Sequence, residues 1–101
     1  MLKVAEVFEK QVKKRHERPD GTEYVNFTTV LEARDGLLNK DYIVGIRPHC
    51  FTSDRDTDRV KNSFPANTKF STIVLDGNSF QKSEIIVVGS FEKFCQELQE
   101  T

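Results

Sequence analysis

The sequence predicts a mainly β domain carrying two helices in its second half, and three observations predict it. From Glu23 to Arg34, the residues Val25, Phe27, Thr29, Leu31 and Ala33 alternate with Tyr24, Asn26, Thr28, Val30 and Glu32, the period of a strand with one buried face. Val and Ile together number 15 and Phe 8, too much β-branched and aromatic content for a disordered chain. Three Asp-Gly pairs, Asp20-Gly21, Asp35-Gly36 and Asp76-Gly77, tolerate the positive φ of tight hairpin turns. At 101 residues the chain reads as one domain, 1–101, able to bury roughly two-thirds of its unfolded surface. That excludes a multidomain enzyme with a large enclosed site.

Taken in order, residues 1 to 17 admit two readings. Met1, Val4, Ala5, Phe8 and Val12 fit one face of a helix, while the turn at Pro19-Asp20-Gly21 makes the same residues the first arm of a hairpin with Glu23 to Arg34. Asp41 to Phe51 reads as a third strand, with Pro48 marking its end or an edge because it donates no ladder hydrogen bond. Ser53-Asp54-Arg55-Asp56 has the Ser-x-x-Asp form of a helix start, with Val60 and Phe64 one turn apart before Pro65. Lys69 to Leu75 and Glu84 to Val88 are short strands rich in Ile and Val. Ser90 caps a final helix whose Phe91, Phe94, Cys95 and Leu98 make one apolar stripe. With the strand reading of residues 1 to 17 the order is β-β-β-α-β-β plus a C-terminal amphipathic helix, the order of a small five-stranded OB-like barrel. With the helix reading it is an α+β domain, an N-terminal helix on an antiparallel meander.

The stretch Val12-Lys13-Lys14-Arg15-His16-Glu17-Arg18-Pro19-Asp20-Gly21-Thr22-Glu23-Tyr24-Val25-Asn26-Phe27-Thr28 resembles the first hairpin of bacterial and phage single-stranded DNA-binding proteins. The likeness lies in a charged strand end, Pro-Asp-Gly-Thr, an apolar residue, and a Phe followed by Thr. It implies an OB fold and sequence-independent binding of single strands. The chain departs from that family in having no Trp, on which its members often stack bases.

The charge pattern points the same way. Lys10, Lys13, Lys14, Arg15 and Arg18 stand against Glu17 alone, although the whole chain carries a formal net charge of -1. Clustered cations attract phosphates and release their counterions; the plainer reading is a solvated arm whose lysines guard an edge against aggregation. Stacking platforms are expected at Tyr24 on the polar face of its strand, on the face shared by Arg47, His49 and Phe51, and in the Phe80 and Lys82 turn, the strand 2–3 surface and loops by which OB folds hold single strands. The expected contacts are Lys13, Lys14, Arg15, Arg18, Tyr24, Arg47 and Phe51, and the expected partner is single-stranded DNA or RNA.

Catalysis and metals find no motif. His16, His49, Cys50 and Cys95 lack paired zinc-ligand spacing, and both thiols read as reduced, with Cys50 a small core residue. His49 and Cys50 are neighbours in a strand and point to opposite faces, so they do not form a nucleophilic pair. Asp54, Asp56 and Asp58 begin like a calcium loop, but Arg59 stands where Gly is required and Pro65 where Glu is required. No phosphate loop, dinucleotide fingerprint or nucleophile elbow occurs, so no enzyme, cofactor or metal is expected. The second functional reading is a protein-interaction or assembly module, pairing with another copy through the Phe91, Phe94, Cys95 and Leu98 stripe, which would otherwise seal the core. No apolar run reaches a membrane-spanning length, and the start lacks a secretory apolar region. A soluble cytoplasmic protein is the expectation.

Overall fold

Side chains that cannot be covered at one end of the molecule, and that are covered on both faces at the other, set its shape. A computed structural model describes residues 1–77 and 83–99; Phe80 and Lys82 lie outside the described residues. The elements are β1 (Leu2–Glu17), β2 (Glu23–Leu38), a single 3-10 turn (Lys40–Tyr42), β3 (Ile43–His49), α1 (Asp54–Ser63), β4 (Phe70–Leu75), β5 (Glu84–Val88) and α2 (Phe91–Gln99). The fold is mainly β, with every strand antiparallel to its neighbours in one sheet ordered β2-β1-β5-β4-β3.

Residues 2 to 17 are strand, which removes the N-terminal helix and the meander arrangement built on it. The reason is long-range: β1 pairs with β2 without a register break from Leu2↔Leu38 to Glu17↔Glu23, so its backbone groups are satisfied across the ladder. The turn that sets this register is local. Gly21 takes φ +88, the Arg18 amide donates to the Thr22 carbonyl at 2.8 Å, and Asp20 Oδ1 accepts from the Thr22 amide (3.0 Å) and hydroxyl (2.7 Å). The Thr22 hydroxyl, then its amide, hold the Asp20 carboxyl below its ordinary pKa.

Asp35-Gly36, by contrast, is no turn. It runs inside β2 opposite Ala5 and Val4, because Leu38 continues the strand into the core, where it packs beside Leu2 and Val4. The ladder also separates two strands expected to be neighbours: β2 and β3 stand at opposite ends of the sheet, so no continuous strand 2–3 surface is formed. Pro48 lies on the β3 edge, as its missing donor requires.

The core joins Leu2, Val4, Ile73, Leu75, Ile85 and Val87 to Phe94 of α2, with Leu98 packed against them. Phe94 is 0% exposed. The α2 stripe therefore seals the interior, and Ser90 caps the helix by accepting from the Lys93 amide at 3.1 Å. On the other face of β4, Phe70 makes edge-to-face contacts with Phe51 and Phe64, ring centroids 5.1 and 5.3 Å apart. These rings tie the β3–α1 loop and the end of α1 to the sheet. Ser53 caps α1 through the Asp56 amide at 3.1 Å, as the Ser-x-x-Asp pattern predicts. With cover on both sides, β4 is buried at Phe70, Ser71, Thr72 and Ile73 alike.

Beyond its single bridge to β5 at Glu6↔Val87, β1 is paired with β2 alone. The two 16-residue strands span roughly 53 Å at ~3.3 Å per residue, and the molecule measures 63 × 30 × 21 Å. Its radius of gyration is 17.4 Å, against about 13 Å for a compact chain of this length. The excess is the hairpin, which projects as an arm.

Candidate nucleic-acid interface

Register assigns the arm's side chains to faces, since directly opposed residues point the same way. One face carries Lys14 opposite Asn26 and His16 opposite Tyr24. There the His16 and Tyr24 rings stack at 5.0 Å with 20° between planes, and the Arg18 guanidinium lies 4.9 Å from the Tyr24 centroid, a cation–π distance. Tyr24 remains 36% exposed. The other face carries Lys13 opposite Phe27 and Arg15 opposite Val25, and here the alternation misleads. Phe27, on the side expected to be buried, is 68% exposed, because the body ends before it can cover that stretch. Leu31 is the buried residue of β2.

Lys13, Lys14 and Arg15 make no ion pair among the described residues, whereas Lys10 meets Glu32 at 3.6 Å. Residues 17–23, the turn with its two flanking strand ends, carry Glu17, Asp20 and Glu23 against Arg18. Positive charge therefore forms a band around the arm's flank, one step behind an acidic tip. At the root, Arg34 donates Nε and Nη2 to Glu6 Oε1 at 2.9 and 2.7 Å and lies 4.8 Å over Phe8.

The fold brings together Lys13, Lys14, Arg15, Arg18 and Tyr24 and leaves the other two expected contacts on the body. Arg47 donates to Glu84 at 3.0 Å, so its charge is matched. Phe51 is half-buried between His49 (4.7 Å) and Phe70 (5.1 Å), a loop anchor. His49 is engaged through Nδ1 with the Thr72 hydroxyl at 3.1 Å. Cys50 is exposed, not a core residue: it follows the end of β3, where alternation no longer turns its side chain inward. Among the described residues there is no His, Cys, Asp and Glu cluster that could hold a metal ion and no helix long and apolar enough to cross a membrane.

A second feature lies where the arm meets α1. Arg55, Asp58, Arg59 and Asn62 follow i, i+3, i+4, i+7 spacing on one helix stripe and, with Ser63, face Phe27, Thr28, Thr29 and Val30 across an open groove of about 440 Å³. Arg59 lines the groove as a mostly buried side chain, its charge matched by Asp56 at 3.7 Å and Glu9 at 3.8 Å. That polar helical stripe was present in the sequence as a signal; what it faces was not. Family models, curated proteins and solved structures, compared with the chain, give no match.

Proposed function

We propose that this chain is a non-catalytic module that binds single-stranded DNA or RNA with little sequence preference, using the projecting hairpin as its contact element. The observation that carries the reading is the unpaired Lys13, Lys14 and Arg15 band beside the exposed rings of Tyr24 and Phe27. Cations neutralise phosphates while flat rings accept bases, and an arm presents both to a strand that need not enter a pocket. The β-β-β-α-β-β-α order and the OB-type hairpin resemblance of residues 12–28 support the same reading. Because β2 and β3 are not neighbours here, the contact surface shifts from an OB strand 2–3 face to the arm.

The test is fluorescence anisotropy of a labelled oligothymidylate of about 20 nucleotides at about 50 and about 200 mM salt. With Lys13, Lys14, Arg15 and Arg18 on phosphates, affinity should fall roughly 50-fold between the two conditions. Changing Lys13, Lys14 and Arg15 together to Glu should abolish binding without altering the circular dichroism spectrum. Absence of binding by the unaltered chain at the lower salt defeats the reading, and a duplex of equal length bound more tightly would replace the single strand as ligand.

A further inference from the structure

From the groove between β2 and α1 we infer a base-binding subsite: a single base of the strand held by the arm lies against Phe27, with its edge toward Asp58 and Asn62 and its flanking phosphates at Lys13 and Arg55. This rests on the nucleic-acid reading and adds the place where the strand leaves the arm.

Four observations converge on it. Phe27 is 68% exposed, against 40% for Tyr42 and 36% for Tyr24. It stands directly opposite Lys13 in the ladder, so a ring and a cation share one face. The groove beside it, about 440 Å³, falls within the roughly 300–1,000 Å³ of small-ligand sites. Its far wall is polar: Arg55 makes no ion pair among the described residues, Asp58 and Asn62 supply an acceptor and an amide, and the charge of Arg59 between them is already matched by Asp56 and Glu9. Asp58 decides the orientation. A carboxylate repels phosphate but accepts from the ring or exocyclic N–H groups that bases carry, and an Asn amide serves base edges in either direction. The base therefore occupies the groove and the phosphates stay on its cationic rim. Because all bases have a stacking face, the subsite tolerates sequence.

The chain has no Trp and two Tyr, so Phe27→Trp places its sole tryptophan, which can be excited selectively over tyrosine, at an exposed site where folding does not depend on the native side chain. Titrating oligothymidylate into Phe27→Trp should quench its emission in step with the anisotropy of the labelled oligonucleotide. Leu37→Trp, at an exposed position near the opposite end of β2, should show no quenching. Phe27→Ala should weaken binding roughly 5- to 150-fold, as expected for loss of one stacked base, and Arg55→Ala should weaken it by a smaller factor. Binding that depends on Lys13, Lys14 and Arg15 but leaves Phe27→Trp emission and Phe27→Ala affinity unchanged overturns the subsite and leaves the arm reading standing. No binding by the unaltered chain overturns both.

Discussion

The body and the arm are built from the same sheet under opposite conditions. In the body, β4 is covered on both faces, and its buried polar groups find partners: the Ser71 hydroxyl donates to the Gly89 carbonyl at 2.8 Å, and Thr72 meets His49. In the outer arm, β1 and β2 satisfy each other's backbone while side chains on both faces meet solvent. An isolated two-stranded hairpin is marginal in water; this one persists because its strands continue into a core. Stability resides in one region and accessible chemistry in the other, so substitutions should separate them.

Phe94→Ala tests the body's side most severely. Removing a ring with no exposed surface from the centre of the core should cost about 3–5 kcal/mol, read as a fall in the denaturation midpoint. A loss below about 1 kcal/mol would mean that α2 does not hold the body together. Gly89→Ala comes next. Gly89 has φ +136, and a Cβ there would lie 2.7 Å from Phe94 Cε2, so backbone strain and overpacking together should cost about 1–3 kcal/mol. Equal stability by chemical denaturation would show that the β5–α2 junction relaxes freely.

Smaller effects sharpen the boundary. Arg47→Gln removes an ion pair whose side chains are both about half exposed, so it should change stability by less than about 1 kcal/mol. It should also leave oligonucleotide affinity within roughly twofold, because a matched charge on the body releases few counterions; a larger drop in affinity would put Arg47 back among the contacts. The smallest effect belongs to Asp20. Its folded pKa is depressed by Thr22, so the ionised form favours the turn above the unfolded carboxyl pKa, and that support is lost as pH falls through the lower, folded value. Protection of the Gly21 and Thr22 amides, taken relative to their intrinsic exchange rates, should fall over that acid range in the unaltered chain. In Asp20→Asn the same acid-range loss of protection should be absent.

What could be read from the sequence divides along the same line. Caps, turns and stripes are local, and Ser53, Ser90, Gly21 and the Phe94 and Leu98 stripe each behave in the fold as their spacing predicts. Residues 2 to 17 fit a helix or a strand equally well because the deciding term is a ladder with residues 23–38, which no local window contains. Asp35-Gly36 has turn chemistry but sits where Leu38 must reach the core. Phe27 shows the limit of alternation: the pattern says which residues share a face, not whether the body extends far enough to cover it. The grouping of Lys13 to Arg18 with Tyr24 followed from the hairpin, whereas the separation of Arg47 and Phe51 from them depends on strand order, which short-range pattern does not encode. The spacing of Arg55, Asp58 and Asn62 along one stripe could be counted off in the sequence but was not singled out there; its relation to Phe27 needed the tertiary structure.

Helix α1 stands beside only one side of the hairpin, as a bracket stands beneath a shelf. A cantilever supported in that way is stiff toward its bracket and compliant away from it. Any load carried at the far end of the arm is therefore transmitted to the gap between Phe27 and the helix.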